Sequence, residues 1–284
     1  MKILTWNTQW CCGLDGVVSP RRIMEGARAM GDFDVLCLQE IASGFDTLAG
    51  APGDQPAEIQ ALLPGFQVFF GAAVDDFDAQ GRRQRFGNLV ATRLPVARVQ
   101  HHALPWPADS SVTSMPRMCT SVTVNSPELG PLRVMTTHLE YYSSTQRLAQ
   151  AKALQALHAE ACGLALAPPQ PDPPGTPFQP KLHTCEAILC GDFNMPAADP
   201  AYEAIVAPFH HDAQALRLQD AWRVLNGNAP HAPTFRLFDR RYGPEPIACD
   251  FVFLSEGLAP RLRRIEVDPV TQASDHQPVF VELA

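Results

Sequence analysis

Positive charge is scarce in this 284-residue sequence. Lys and Arg together number 22, against 30 Asp and Glu, and the net charge is -8. Affinity for duplex nucleic acid rests mostly on cationic side chains that neutralise phosphates. The composition therefore argues against a broad binding surface for DNA or RNA, although short arginine groups such as Arg82–Arg85 could still bind single phosphates.

The sequence also lacks long apolar segments, internal repeats and cysteine pairs of the zinc-binding type. Residues Met1–Asn7 enter a strand-like pattern at once, so we expect a cytoplasmic protein that is neither exported nor membrane-spanning, with no transmembrane segment. The eight cysteines are expected to be reduced thiols. No break in composition divides the chain, and we expect residues 1–284 to form one domain and a monomer.

What the sequence does contain is an alternation of strand-like and helical patterns. Apolar periodicity predicts strands at 3–7 and 34–40, and helices at 20–30 and 55–63. Later runs predict strands that pair antiparallel, at 66–70, 88–92, 120–124 and 132–138. A helix is predicted from Thr145 to about Leu166, capped by Ser143 and Ser144, and a further strand at 187–190.

A proline-rich segment covers residues 168–180. Proline supplies no amide donor, so this segment cannot hold a regular ladder or helix. We predict an exposed, mobile loop. Because it lies one element before Asp192, it is also expected to border the functional site and to affect substrate access.

Six of the apolar runs meet Asn, Asp, Glu or His at one end. Burying ionisable groups is unfavourable unless they are paired or bound to a metal, so a fold that collects them at strand ends is expected to build one polar site. The positions concerned are Asn7, Glu40, His138, Asp192 with Asn194, Asp250, and Asp275 with His276.

These side chains fit metal-assisted chemistry on a phosphoryl group. Gly191 permits a tight exit from its strand and is followed by Asp192 and Asn194, which in isolation could equally serve as local backbone acceptors. Taken together, the set supplies oxygen ligands suited to Mg²⁺ or Mn²⁺, a group to activate water, and donors for a phosphoryl oxygen.

As an ordered set, these motifs resemble those of the endonuclease/exonuclease/phosphatase superfamily, which includes DNase I-like and exonuclease III-like nucleases, inositol polyphosphate 5-phosphatases and neutral sphingomyelinases. The resemblance runs from Thr5-Trp6-Asn7 to Ser274-Asp275-His276. It implies an α/β fold, a four-layer α/β/β/α sandwich with two mixed β-sheets packed face to face and helices outside. It also implies Mg²⁺- or Mn²⁺-dependent hydrolysis of a phosphodiester or phosphomonoester.

The resemblance implies roles at the metal and phosphate. Glu40 would bind the metal, with Asn7 and Asp275 close to it or to the phosphate. Arg117 would contact the substrate phosphate, the alternative being a solvated arginine. Asn88 would line the site, the alternative being a strand-edge amide.

The resemblance also implies the catalytic groups. Asp192 would orient or deprotonate the attacking water, held in place by Asn194. His276, paired with Asp250, would donate to the phosphoryl oxygen, and His138 would act from the other side, helping the leaving group.

The substrate class stays open at this stage, because the catalytic residues define phosphoester hydrolysis while surrounding loops select the leaving group. Nucleic acid and small-molecule phosphoesters are both compatible with the sequence. The alternative from another functional class is a catalytically silent binding module that keeps the same fold.

Overall fold

The computed structural model describes residues 1–170, 175–178, 181–209 and 216–284. Twelve β-strands occur in these ranges: β1 Lys2–Asn7, β2 Val35–Ser43, β3 Gln67–Phe77, β4 Arg83–Thr92, β5 Val96–Ala103, β6 Met118–Ser126, β7 Gly130–His138, β8 Ala187–Asp192, β9 Leu218–Asp220, β10 Asp250–Ser255, β11 Leu262–Val267 and β12 Val279–Leu283. The same ranges contain five α-helices and a 3₁₀ turn at Ala259–Arg261: α1 Pro20–Met30, α2 Gln55–Leu62, α3 Ser144–Leu166, α4 Pro200–Val206 and α5 Ala221–Asn226.

The strands form two six-stranded sheets. Sheet one has the order β11-β12-β1-β2-β4-β3 and sheet two the order β5-β6-β7-β8-β10-β9. Each sheet has one parallel pair near its centre, β1 with β2 and β7 with β8, and antiparallel neighbours on both sides. The antiparallel pairing predicted for the middle of the chain is confirmed.

The two sheets pack face to face across an apolar core. Ile3, Val35 and Val90 of sheet one share one buried cluster with Val134 and Ile188 of sheet two. Alternate residues of the same strands point to the opposite faces, which are also buried, and this explains the nearly continuous apolar runs in the sequence.

Helices cover both outer faces. On sheet one, Ile23 of α1 packs with Leu36 of β2. On sheet two, Leu154 of α3 packs with Leu189 of β8. The predicted α/β/β/α sandwich with two mixed sheets is therefore confirmed.

The helix starts follow from local sequence. The hydroxyl of Ser19 accepts a hydrogen bond from the amide of Arg22, and that of Ser143 accepts from the amide of Gln146, at 3.2 and 3.3 Å. These caps satisfy amides that have no partner within their helices. Within the described ranges, no helix has both the length and the apolar character needed to cross a membrane.

Candidate active site

The candidate site lies where the two central parallel pairs end. Asn7 closes β1, and His138 and Asp192 close β7 and β8 as register partners. Asp250 opens the antiparallel strand β10 directly opposite Asp192. Because carboxyl ends of parallel strands meet at one edge of a sheet, this topology brings residues far apart in sequence to one place.

Unusual backbone geometry positions several of these residues. Of the seven non-glycine residues with positive φ in the described chain, four line the central cavity of this site: Gln9, Trp10, Glu40 and Asn194. Glu40, with φ of 59°, sits in an irregularity of the β2–β4 pairing between Leu38 and Ile41. Left-handed backbone is unfavourable for residues with a Cβ, so surrounding contacts must hold it there.

Gly191 is required by the close approach of β8 to β7. A Cβ at this position would lie 2.0 Å from the carbonyl oxygen of Thr137, and the φ of 136° is rarely adopted by other residues. Glycine therefore allows the two strand ends to come together and brings Asp192 beside His138.

Asn7 links the two sheets through its side-chain amide. Its Nδ2 donates to Glu40 Oε1 at 3.0 Å and to Asp192 Oδ2 at 2.9 Å, while its Oδ1 accepts from the amide of Gln9 at 3.1 Å. The amide nitrogen, rather than the oxygen, therefore faces the carboxylates. In this geometry Asn7 holds two acidic side chains in place, and its position close to a metal stays a prediction.

His138 is a neutral imidazole. Asn194 Nδ2 donates to His138 Nε2 at 2.9 Å and to the carbonyl oxygen of Leu139 at 2.9 Å, which leaves the ring proton on Nδ1. Burial, with the nearby Arg117 guanidinium, holds the pKa of His138 well below its ordinary value. The 3.4 Å approach of Nε2 to Asp192 Oδ2 is therefore not an ion pair.

His276 has the opposite charge state. Burial opposes its protonation, but the carboxylates of Asp250 and Asp192 outweigh burial and raise the pKa of His276 well above its ordinary value. His276 Nδ1 donates to Asp250 Oδ2 at 2.9 Å, and Nε2 lies 3.7 Å from Asp192 Oδ2. The ring stacks on Phe235 with centroids 4.3 Å apart. The site thus contains a fixed imidazolium.

Three carboxyl groups share the cavity. Burial, reinforced by the charge of Asp275, raises the pKa of Glu40 to about 7. Burial raises the pKa of Asp192 to about 6 and also raises that of Asp275. Ionising all three groups is unfavourable without a cation, and their oxygens are the donors that Mg²⁺ and Mn²⁺ prefer. The cluster therefore fits a hard divalent ion at Glu40 and Asp275.

A second set of ligand-type atoms lies deeper. Atoms of Asp192, Cys249, Asp250 and His276 all lie within 4.8 Å of one another. In this set the Asp250–His276 hydrogen bond already uses one carboxylate oxygen and one ring nitrogen. The hard-ion site is better matched by Glu40, whose carboxylate borders the cavity.

Arg117 and Asn88 differ in where they lie. Arg117 is 7% exposed and lines the cavity, so it is not a solvated arginine. Its Nε donates to Glu140 Oε2 at 3.2 Å, whereas its buried Nη1 has no partner among the described residues. Asn88 is buried, donates to the carbonyl oxygen of Met118 at 3.2 Å and is not among the residues that line the cavity, so a role for it at the site stays a prediction.

The cavity has features that sequence reasoning missed. Its volume is about 260 Å³, and an aromatic wall surrounds the polar groups: Trp10, Phe86, Tyr141, Tyr142, Phe235 and Tyr242. Apart from Phe86, these residues lie outside strands and helices. Only the adjacent pair Tyr141-Tyr142, three residues after His138, gave a local signal.

The described residues of the proline-rich segment do not line the cavity. Its described residues, 168–170 and 175–178, are largely exposed; residues 171–174 and 179–180 fall outside the described part of the chain, so the predicted mobility stays untested. The segment leads into the amino end of β8, whereas Asp192 is at the carboxyl end. A six-residue strand spans about 20 Å. None of the described residues of the segment lines the cavity, and its effect on substrate access stays a prediction.

Comparison with known proteins identifies the family of the chain. The sequence model of the endonuclease/exonuclease/phosphatase family matches residues 4–276. No curated protein sequence matches the chain.

Solved structures share the fold. An endonuclease/exonuclease/phosphatase from Beutenbergia cavernae superposes with a TM-score of 0.70 at 24% identity, covering 99% of this chain and 70% of that one. A mannosyl-6-phosphatase from Bacteroides thetaiotaomicron gives 0.67 at 18% identity, covering 100% and 99%. The human nocturnin catalytic domain, with bound sulfate, gives 0.61 at 17% identity, covering 99% and 93%.

Proposed function

Because the chain belongs to the endonuclease/exonuclease/phosphatase family, we propose that it is a Mg²⁺- or Mn²⁺-dependent hydrolase of phosphoesters. The observation that carries the proposal is the meeting of buried carboxyl groups with an imidazolium at one sheet edge. Asp192 Oδ2 lies 3.7 Å from His276 Nε2 and is bonded to Asn7 at 2.9 Å. This arrangement combines a base, a proton donor and an oxygen-rich metal site.

The metal site is assigned to Glu40 and Asp275. Asn7 fixes the carboxylate of Glu40 by donating to Oε1. When bound, the ion supplies Lewis-acid polarisation of the phosphoryl oxygen. Arg117, whose buried Nη1 has no partner among the described residues, binds the substrate phosphate.

The remaining residues orient water and move protons. Asp192 accepts a proton from the attacking water, and the amide of Asn194 donates to Asp192 Oδ1 at 2.8 Å to fix its orientation. His276 donates from Nε2 to a phosphoryl oxygen, with Asp250 holding Nδ1. His138 carries its proton on Nδ1 and faces the leaving group from the other side.

Other features support proposals on the domain organisation, the location and the substrate of the protein. The family match over residues 4–276 supports one domain, and we propose that it acts as a monomer. The eight cysteines are free thiols, which supports a cytoplasmic location. The mannosyl-6-phosphatase neighbour favours small phosphoesters over long nucleic acids, as does the net charge of -8.

The test is release of p-nitrophenol from bis-p-nitrophenyl phosphate with Mg²⁺ and with EDTA. Asp192→Asn and His276→Ala should each reduce kcat by at least about 100-fold. Asp76→Asn, which removes an exposed carboxylate of β3, should leave the rate unchanged. Full activity in both site variants would refute the catalytic assignment, and inactivity on every phosphoester would favour a binding module.

A further inference from the structure

A second cavity opens beside the catalytic one. It has a volume of about 680 Å³, compared with about 260 Å³ for the cavity that contains the carboxyl groups. The two cavities share Gln9, Trp10 and Tyr242 as lining residues. The two cavities therefore adjoin at these three residues.

The loop that carries Trp10 has a constrained backbone. Gln9, Trp10 and Cys11 have φ of 48°, 42° and 57°, so three consecutive residues are left-handed. The amide of Trp10 donates to the carbonyl oxygen of Glu40 at 2.8 Å, and its indole Nε1 donates to that of Ala49 at 3.1 Å. These contacts fix the indole ring relative to Glu40. Strained backbone held by tertiary contacts is typical of functional sites.

Tyr242 belongs to a row of rings that leads out of the catalytic cavity. His276 stacks on Phe235, and Phe235 contacts Tyr242 with centroids 5.9 Å apart and planes inclined by 33°. Tyr242 is 44% exposed, so part of its ring is available to a ligand. The row provides a continuous aromatic surface from the proton donor to the second cavity.

The side chains that line the second cavity carry little net charge. Its two charged lining residues, Asp239 and Arg241, form an ion pair with Nε and Oδ2 2.6 Å apart. Much of the remaining lining is apolar or backbone, with Leu48 and Phe238 among the side chains. A neutral group is therefore favoured, and π-faces favour a flat ring over a puckered one.

We propose that the second cavity is a leaving-group subsite that selects phosphoesters whose organic part contains a neutral, planar ring, held against Trp10 and Tyr242. The phosphoryl group stays between Arg117 and His276. The proposal rests on the proposed hydrolase function and specifies its substrate class. Trp10 and Tyr242 are specificity-determining residues in this assignment, and the proton transfers remain with the groups already described.

The test uses two esters that differ only in the ring. 2-Phenylethyl phosphate and 2-cyclohexylethyl phosphate place the ring two carbons from the reacting oxygen, so their leaving groups have similar acidity. The wild-type protein should hydrolyse the phenyl ester with a kcat/KM about tenfold higher. Trp10→Leu and Tyr242→Leu should each bring this ratio close to one. Trp106→Leu, which removes an exposed tryptophan outside both cavities, should preserve it.

A binding measurement separates failure of the subsite from failure of the proposed function. Calorimetry with 2-phenylethylphosphonate and 2-cyclohexylethylphosphonate needs no turnover. A preference for the phenyl compound that is lost in Trp10→Leu would support the subsite even if neither ester is hydrolysed. Equal kcat/KM values for the two esters, a ratio unaffected by both leucine variants, or equal or undetectable binding of both phosphonates would overturn the proposal.

Discussion

Replacing Asp250 with asparagine tests how the site keeps His276 charged. Asp250 Oδ2 accepts from His276 Nδ1 at 2.9 Å, and the two residues are 5% and 4% exposed. The substitution Asp250→Asn keeps the shape of the side chain and removes its negative charge. Any effect on His276 therefore reports the charge rather than a loss of packing.

The expected magnitude follows from the distances. Unit charges 2.9 Å apart interact by about 6 kcal/mol at an effective dielectric constant of about 20. Asp192, at 3.7 Å, contributes about 4.5 kcal/mol on the same scale. Of these two carboxylates Asp250 is the stronger attraction, and removing it should lower the pKa of His276.

Two measurements follow the effect. The ¹⁵N imidazole resonances of His276, titrated by NMR in the metal-free protein, should show a lower pKa in Asp250→Asn than in the wild type. The value of kcat/KM should fall by about 10² to 10⁴, with a larger loss at higher pH, because more His276 is then neutral.

Cys249→Ala is the matched control. It removes a buried thiol 4.0 Å from the same ring nitrogen without removing a charge, so the charge of His276 should be retained. If the His276 resonances titrate identically in Asp250→Asn and wild type, or if kcat/KM falls by less than about tenfold, the electrostatic account of His276 is incorrect.

Three further changes test the scaffold of the site. Asn7→Leu leaves Glu40 Oε1 and Asp192 Oδ2 without their amide donor and should lower the free energy of unfolding by about 1–3 kcal/mol in urea titrations; an unchanged midpoint would contradict the bridging role. The pKa values of Glu40 and Asp192, about 7 and about 6, exceed the ordinary 4.5 and 3.8. The folded protein therefore binds protons on these groups more tightly than the unfolded chain does. The resulting stabilisation is complete below the ordinary pKa values and is lost as pH rises through 6–7. In EDTA, Tm should fall more between pH 5.5 and 8 for the wild type than for Glu40→Gln. An equal fall in Tm for the two proteins would contradict this. Gly191→Ala should prevent correct folding or lower Tm by many degrees, because its Cβ would meet backbone at 2.0 Å, whereas Gly163→Ala, with open space at its Cβ, should be neutral or stabilising; similar Tm values for both would be inconsistent with the close approach of β8.

Much of the fold was predictable because both faces of the central strands are buried. A strand buried on both faces has apolar residues at consecutive positions, so a continuous apolar run such as the one from Val35 to Leu38 predicts a strand. The polar residues at the strand ends can also be recognised in the sequence, because burying an ionisable group is unfavourable unless it is paired or bound to a metal. Asp192 and His276 are predicted in this way, and both line the cavity.

The features of the site that the sequence does not predict depend on tertiary geometry. The bridging contacts of Asn7 could not be predicted, because the direction of its amide is set by Gln9, in a left-handed loop that periodicity does not reveal. The proline-rich segment is near Asp192 in sequence, but it precedes the amino end of β8 and Asp192 is at the carboxyl end, so proximity in sequence is a weak guide to position. The aromatic wall was missed because most of its residues lie in loops.

The most direct test of the central claim is to measure Mg²⁺ affinity and phosphoester hydrolysis in the same samples of wild-type protein and Glu40→Gln. The wild type should hydrolyse bis-p-nitrophenyl phosphate with Mg²⁺ and lose this activity in EDTA. Glu40→Gln should bind Mg²⁺ at least about tenfold more weakly and lose hydrolysis in parallel. Wild-type Mg²⁺ affinity and undiminished hydrolysis in Glu40→Gln would contradict the account.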